Sequence, residues 1–221
     1  MHSGKDQAET RYREIQRAAA IGIWHRNIAR ALESTSGMGS TMESTRAFRA
    51  FLSGFLERHA IKSLLDLPCG DFHWMREVDL SSVDYLGLDV VPECVERNRA
   101  LYGRDNVDFA EFDALSDQEL PSGFELIVSR DFWFHLSFEA INLLIGKIRR
   151  SGARYLITTT FDEVTTNPDL DDAAKARGWG YRTINVQIPP FELRGPGVDG
   201  VQETGEYCGG RWQRAYEIAD L

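Results

Sequence analysis

The chain has 221 residues, of which 43% are apolar, and this size fits one compact domain with a substantial hydrophobic core. Its net charge of −9 and its scattered lysines and arginines argue against a long nucleic acid as substrate. Because no apolar run reaches the roughly 18 residues of a membrane helix, we expect a cytoplasmic protein without a membrane partner.

The predicted elements begin with two helices in an N-terminal helical segment, residues 1–60. Helix-favouring residues fill 9–32, and this first helix is expected to lie outside the core. Its apolar residues at helical spacing are Ile21, Trp24, Ile28 and Leu32. Glycines and hydroxyls in 34–41 then interrupt the pattern. The second helix has an apolar face that we expect to pack on a sheet, made of Phe48, Phe51, Leu52 and Phe55.

Five apolar segments are predicted to be strands that alternate with helices. They cover residues 62–67, 85–89, 107–112, 125–128 and 155–160. Pro92 and Gly103 bracket one intervening helix, and Ser137 suits the N-cap of another. Strands joined by helical connections predict a parallel sheet, so residues 61–221 form the main α/β core.

Beyond residue 161 the periodic pattern gives way to an acidic, glycine-bearing stretch, residues 162–180. Long irregular loops in compact domains are often functional, although the sequence assigns this one no role. Two further segments, 183–193 and 211–221, again have the pattern of strands.

The three cysteines do not form a recognisable framework. Cys69, Cys94 and Cys208 are widely separated and lack the paired spacing of a zinc site. We therefore expect reduced thiols and no bound metal.

The most informative segment, residues 63–75, has the sequence SLLDLPCGDFHWM. An apolar strand leads into a turn at Gly70, and a second strand ends in Asp89, about 20 positions later. The turn lets backbone approach a ligand, and an acid at this distance can accept hydrogen bonds from both hydroxyls of a ribose. The arrangement predicts an adenosine site. Its candidate residues are Pro68, Cys69, Gly70, Asp89 and Val90.

The glycine pattern argues against a dinucleotide. A pyrophosphate needs close backbone approach at several points of a G-x-G-x-x-G turn, and this turn offers one glycine. Pro68 stands where the first glycine would be and has no N–H to donate. Phe72 occupies the position two after Gly70. A nicotinamide-dependent oxidoreductase is therefore the weaker interpretation.

The same segment resembles the first motif of class I S-adenosylmethionine-dependent methyltransferases, an acid-x-Gly-x-Gly-x-Gly pattern with Asp66 and Gly70 in register. Pro68 and Phe72 depart from it. The segments SGMGST, DLPCGDFHWM, LGLDVVPECVERN, SRDFWFHLS and YLITTTF also resemble a bacterial subfamily of small class I methyltransferases. The resemblance implies a Rossmann-like α/β fold, with helices on both faces of a seven-stranded sheet. Six strands would be parallel, and 211–221 would supply the antiparallel one.

The resemblance also implies S-adenosylmethionine as cofactor and S-adenosylhomocysteine as product. In this family Asp66 would face the amino group of the methionine moiety and Asp89 would bind the ribose. Asp113, after the third strand, would accept a hydrogen bond from the adenine amino group. A solvated or capping carboxylate explains Asp113 nearly as well.

The methyl acceptor is expected to approach residues 129–135, which follow the fourth strand. His135 is a candidate general base for a hydroxyl, and Asp131 lies four positions earlier, where a helix would let it orient the imidazole. Arg130 either holds an anionic substrate or the cofactor carboxylate, or forms an ion pair with Asp131.

Aromatic side chains suit the wall of such a site, because a ring face attracts a sulfonium and keeps water out. The candidates for contact with the substrate are Phe132, Trp133, Ser40 and Trp179. Since Phe132, Trp133 and Phe134 are adjacent, not all three rings can face the ligand, and we expect at least one of them in the core. Ser40 lies in the 34–41 loop, which we expect to close over the methionine end of the cofactor.

These residues predict methyl transfer to a small-molecule or carbohydrate acceptor, at oxygen first and at nitrogen next. An RNA or protein methyltransferase and a noncatalytic S-adenosylmethionine-binding protein remain alternatives, and a homodimer remains open.

Overall fold

The computed structural model describes residues 3–193, 197–204 and 206–220. Its helices are α1 (Ser3–Ala29), α2 (Arg46–Arg58), α3 (Pro92–Tyr102), α4 (Phe138–Arg150) and α5 (Asp172–Arg177). Its strands are β1 (Ser63–Asp66), β2 (Asp84–Asp89), β3 (Val107–Glu111), β4 (Leu126–Ser129), β5 (Tyr155–Thr160), β6 (Asp199–Gln202) and β7 (Trp212–Glu217). Among the described helices, none combines the length and the apolar character needed to cross a bilayer.

The seven strands form one sheet in the order β3-β2-β1-β4-β5-β7-β6. The first five strands of this order pair in parallel, and β7 runs antiparallel to both β5 and β6. Six strands therefore point one way and β7 the other, which confirms the predicted sheet and its antiparallel strand.

Alternate residues of the strands pack against helices on opposite faces of the sheet. Leu65 and Ile127 belong to one hydrophobic cluster, which also contains the apolar side of α4. Their neighbours Leu64 and Leu126 belong to a second cluster, which contains the buried face of α2. The helix faces are formed by Ile141, Leu144, Ile145 and Ile148 on α4, and by Phe48, Leu52 and Phe55 on α2. Helices thus cover both faces, as predicted, and leave the strand ends to form a site.

The helix ends follow local signals in the sequence. Ser137 caps α4, because its side chain accepts a hydrogen bond from the backbone N–H of Ala140. Pro92 stands at the first position of α3, where a missing N–H costs nothing. Gly22 stays inside α1, which continues to Ala29.

The predicted strand at 183–193 is wrong, and the sixth strand is instead β6. Ile184 and Val186 are buried, as the alternating pattern indicated. Backbone N–H groups within this segment, however, donate to side chains, and the segment pairs with no strand that the structure describes. Asn185 donates its N–H to Oδ1 of Asn167 at 2.8 Å, and Val186 donates its N–H to Oγ1 of Thr160 at 3.1 Å. Apolar alternation therefore marks burial here without strand pairing.

Candidate functional site

A cavity of about 210 Å³ lies at the carboxyl edge of β1, β2 and β4. This is the edge at which parallel sheets bind their ligands. The residues that end or follow these strands and line the cavity are Pro68, Cys69, Gly70, Asp89, Val90, Val91, Arg130, Asp131 and Phe132. Ser40, His135 and Trp179 line it as well. The structure thus brings together most of the site residues predicted from sequence.

Asp89 is fixed at the cavity wall by backbone donors. Its Oδ2 accepts the N–H of Gly70 at 3.0 Å, and its Oδ1 accepts the N–H of Val91 at 3.0 Å. Burial raises the pKa of this carboxyl, whereas the backbone bonds act to lower it. Each carboxylate oxygen can accept more than one hydrogen bond, so both retain capacity for a ligand hydroxyl.

Gly70 allows the 34–41 loop to approach the turn closely. Its φ of +55° is left-handed, and a Cβ there would lie 2.1 Å from Oγ of Ser36. Ser36 and Thr35 line the cavity. The loop therefore contacts the predicted cofactor turn directly.

Asp71 holds this loop in place and was missed by the sequence analysis. Its carboxylate accepts the hydroxyl of Ser34 at 2.9 Å, the N–H of Thr35 at 2.6 Å and the hydroxyl of Ser36 at 3.1 Å. The acid that directly follows Gly70 is visible in the sequence, but its partners lie more than 30 positions away. Only the folded chain reveals the contact.

Helix α1 covers the cavity, which corrects its predicted place outside the core. The side chains that line the cavity are Gln16, Ala20, Ile23 and Trp24. Ile28, which the sequence placed on the apolar face, is 44% exposed. Ion pairs join α1 to the end of β3 and to the loop beyond it, from Arg17 to Glu111 and from Arg13 to Asp117 at 2.8 Å. Such exposed pairs stabilise weakly. Tyr12 of α1 also packs against the core and accepts the N–H of Ser137 at 3.1 Å.

His135 is oriented by a backbone carbonyl. Its Nδ1 lies 2.6 Å from the oxygen of Gly180. Because a carbonyl only accepts, Nδ1 carries the proton and Nε2 carries a lone pair. Nε2 forms no hydrogen bond with any residue that the structure describes. Burial lowers the pKa of His135, while the bond to Gly180 and the charge of Asp131 raise it and the charge of Arg182 lowers it further.

The predicted contact between Asp131 and His135 is wrong. Asp131 has a positive φ of +54°, and only a short 3-10 turn, Trp133–His135, follows it. The two side chains therefore do not share a helix face. Oδ2 of Asp131 instead accepts from Arg211 at 2.6 Å, and Oδ1 accepts from the hydroxyl of Thr159 at 3.2 Å.

Arg130 belongs to a buried network of four charges. It donates two hydrogen bonds to Oε1 of Glu203, at 2.8 and 3.0 Å, and Arg211 donates to Oε2 of Glu203 at 2.5 Å. Asp131 lies 3.2 Å from Arg130. Two guanidinium groups thus balance two carboxylates. The expected ion pair with Asp131 is present, but Glu203 is the main partner, and neither Glu203 nor Arg211 was predicted.

Trp133 is a core residue, which corrects its predicted contact with substrate. It is fully buried, and its Nε1 donates to Oγ of Ser129 at 2.9 Å. Phe132 instead lines the cavity. Trp179 stacks on the imidazole of His135, with ring centroids 5.1 Å apart and planes 23° apart. Phe132 and Trp179 thus belong to the aromatic wall, together with Trp24 and Trp74.

No model of a protein family matches the sequence, and no curated protein matches it. Solved structures match with probability 1.00. PigF with SAH is 18% identical with a TM-score of 0.57, covering 78% of this chain and 55% of PigF. The S-adenosylmethionine-dependent methyltransferase SibL is 15% identical with a TM-score of 0.53, covering 76% of this chain and 54% of SibL.

The N-methyltransferase NodS from Bradyrhizobium japonicum, in complex with S-adenosylhomocysteine, is 16% identical with a TM-score of 0.54. The match covers 76% of this chain and 83% of NodS. The chain has the fold of the class I methyltransferases. It spans just over half the length of PigF and SibL.

Two acids of the class I pattern do not line the cavity. Asp66 is buried and accepts the hydroxyl of Tyr85 at 2.8 Å, and burial raises its pKa to about 7. Asp113 accepts the N–H of Leu115 at 2.8 Å and so closes a local turn. The geometry does not support the contacts with the methionine amino group and the adenine amino group that the resemblance implied for them.

Proposed function

We propose that this protein transfers a methyl group from S-adenosylmethionine to an oxygen atom of a small-molecule acceptor. The observation that carries the proposal is Asp89, held by Gly70 and Val91 at the wall of the cavity in a class I fold. The neighbours PigF and NodS carry S-adenosylhomocysteine in their crystals, which supports the same cofactor here.

The residues of the cavity fit the adenosine half of this cofactor. Asp89 has acceptor capacity for both ribose hydroxyls, and Val90, Val91 and Ile23 offer apolar surface for a purine. The turn at Gly70 brings backbone to the cavity wall without a side chain in the way. S-adenosylmethionine, when bound, supplies an electrophilic methyl group on a sulfonium sulfur that leaves as a thioether.

His135 is proposed to act as the general base. Its neutral imidazole presents the lone pair of Nε2, because Gly180 fixes the proton on Nδ1. The acceptor hydroxyl gives its proton to Nε2, and the imidazolium then releases it to solvent. Stacking on Trp179 and the bond to Gly180 hold the ring, which limits the reorientation that the reaction requires. The side chains otherwise align the acceptor and exclude water.

Asp131 is proposed to be a positioning residue. It hydrogen-bonds to Arg211 and Thr159 and not to His135, and it balances the charges of Arg211 and of Arg130, which lines the cavity. Loss of its charge would leave a buried guanidinium group short of a partner.

The experiment combines binding with turnover. We would measure binding of S-adenosylmethionine and S-adenosylhomocysteine, with a nicotinamide dinucleotide as control, and then release of S-adenosylhomocysteine over a panel of hydroxyl and amine acceptors. Turnover that requires a hydroxyl acceptor supports the proposal. Turnover with amines alone would make the protein an N-methyltransferase, and binding without any turnover would make it a noncatalytic binding protein. Preference for the dinucleotide would overturn the proposal.

A further inference from the structure

An aromatic surface lies beside His135, and it reaches the cavity at His135 and Trp179, which line it. Trp179 stacks on the imidazole, and Phe134 packs its edge against it with centroids 4.5 Å apart. Tyr181 packs on Phe134 at 5.2 Å and lies 6.1 Å from His135. Trp179 remains 42% exposed and Tyr181 59% exposed. Large rings that stay open to solvent next to a cavity offer a face to a flat apolar ligand.

The charged groups on this side of the cavity are already paired. Arg130 and Asp131, which line it, belong to the four-charge network with Glu203 and Arg211. Arg182 donates to the backbone oxygens of Phe134 and Pro168, and its Nη2 lies 3.8 Å from Asp169 without forming a hydrogen bond to any described residue. Each of these arginines therefore already has a carboxylate within 4 Å, and Asp131 and Glu203 already have arginine partners. Asp89, which lines the cavity without a cationic partner among the described residues, is the acid proposed to bind the ribose.

The amide of Gln16, beside His135, is already engaged. The other neutral polar groups of the cavity lining are the hydroxyls of Thr35, Ser36 and Ser40 and Nε1 of Trp24, which has no hydrogen-bond partner among the described residues. Gln16, the nearest amide of α1, donates to the hydroxyl of Tyr12 and to the backbone oxygen of His135. A sugar presents several hydroxyls, and each one buried without a partner costs about 1–3 kcal/mol. A flat molecule with one hydroxyl avoids this cost. Nε2 of His135 is then the group that its hydroxyl meets.

We infer that His135, Trp179 and Tyr181 form the acceptor subsite and that it takes an uncharged aromatic alcohol. The ring lies against Trp179 and Tyr181, and the hydroxyl hydrogen-bonds to Nε2 of His135. This inference rests on the proposed function and narrows its acceptor from small molecules in general to phenol-like ones.

Four probes of matched size test the subsite by calorimetry at pH 7, each with S-adenosylhomocysteine present. They are 2-naphthol, which is uncharged, 2-naphthoate, which is anionic, 2-naphthylmethylamine, which is cationic, and methyl glucoside. We expect 2-naphthol to bind at least tenfold more tightly than each of the others. Equal or tighter binding of naphthoate, the amine or the glucoside would overturn the inference.

Variants of Trp179 test whether 2-naphthol binds against this ring. Trp179→Ala should weaken the binding of 2-naphthol at least tenfold. Trp179→Phe should retain most of the wild-type affinity, because it keeps a ring face. Tyr207→Ala, which removes another half-exposed aromatic ring that does not line the cavity, should leave it unchanged. Unchanged affinity in Trp179→Ala would overturn the inference. Binding of S-adenosylhomocysteine without 2-naphthol binding would reject the subsite alone, whereas loss of both would reject the proposed function with it.

Discussion

Gly70 donates its backbone N–H to Oδ2 of Asp89 at 3.0 Å, although the two residues lie 19 positions apart. The bond joins the turn after β1 to the end of β2. Because Asp89 also accepts the N–H of Val91, its carboxylate has one orientation toward the cavity. The acid that is proposed to bind the ribose is therefore positioned before a ligand arrives, which lowers the entropy cost of binding.

The variant Gly70→Ala should disturb both the turn and the loop above it. A non-glycine residue at φ +55° costs roughly 1–2 kcal/mol, and the new Cβ would lie 2.1 Å from Oγ of Ser36. We expect a lower free energy of unfolding in urea and weaker binding of S-adenosylhomocysteine.

Gly152→Ala is the matched control, because Gly152 has φ +79° but a Cβ added there would meet no atom of the described residues beyond its chain neighbours within 4 Å. Gly152→Ala should lose stability only through the unfavourable backbone conformation, and it should bind S-adenosylhomocysteine as tightly as wild type does. Adding Ser36→Gly to Gly70→Ala should recover the part of the stability loss that comes from the collision of the new Cβ with Oγ of Ser36. If Gly70→Ala and Gly152→Ala lose the same stability, the close approach of Ser36 is not what requires glycine.

Replacing Asp66 should change how stability depends on pH. Burial raises the pKa of Asp66 to about 7, whereas an unfolded aspartate titrates near ~3.9. Between these values the folded state binds more protons than the unfolded state, so this carboxyl makes the protein less stable as pH rises from 4 to 7. Asp66→Asn removes this pH-dependent loss of stability, and the asparagine oxygen can still accept a hydrogen bond from the hydroxyl of Tyr85.

The measurement is the melting temperature of both proteins from pH 5 to pH 8. The difference between Asp66→Asn and wild type should move in favour of the variant as pH rises, whereas the exposed control Asp84→Asn should track wild type. A difference that stays constant over this range would show that Asp66 titrates normally.

Removing one carboxylate from the charge network should be strongly destabilising. Glu203 is buried and pairs with both Arg130 and Arg211. Glu203→Gln leaves a buried positive charge in excess, and breaking such a pair costs about 3–5 kcal/mol. Urea unfolding should report this loss. Glu57→Gln on the exposed side of α2 should stay within about 0.5 kcal/mol of wild type, and a similarly small effect for Glu203→Gln would contradict the network's role.

Activity should persist to a lower pH than an ordinary histidine base allows. Burial lowers the pKa of His135 below its usual value near ~6.5. Only the neutral ring can accept a proton, so kcat/KM should fall on acidification with an inflection below pH 6.5. His135→Ala should lower turnover by about 10² or more with nearly unchanged affinity for S-adenosylhomocysteine.

NMR titration of the His135 ring protons provides the independent check. Its inflection should coincide with that of kcat/KM. Normal turnover in His135→Ala, or an activity profile that does not follow the titration of this ring, would show that His135 is not the general base.

The sheet could be predicted from sequence because its signals are local. The central strands β1, β4 and β5 are short, buried and largely apolar runs, and Pro92 and Ser137 mark helix starts through their own backbone chemistry. Strand β6, with the sequence DGVQ, carries no such signal and was not predicted. The alternation at Ile184 and Val186 also reported burial correctly. It could not report that Asn167 and Thr160, both distant in the chain, take the backbone hydrogen bonds of this segment.

The site was predictable only where the sequence places residues at strand ends. Gly70, Asp89 and His135 could be found in this way. The partners that set their geometry lie far away in the chain, such as Gly180 for His135. The positive φ of Asp131, which separates it from His135, has no signature in residue type or spacing.

Calorimetric titration with S-adenosylhomocysteine of wild type, Asp89→Ala and Asp84→Ala tests the central claim most directly. Asp84 lies exposed at the start of the same strand that Asp89 ends. We expect wild type and Asp84→Ala to bind S-adenosylhomocysteine and Asp89→Ala to lose roughly 10- to 100-fold in affinity, the scale of hydrogen bonds to a charged group. Circular dichroism would confirm that the variant is folded. No binding by wild type, or unchanged affinity in folded Asp89→Ala, would contradict the account.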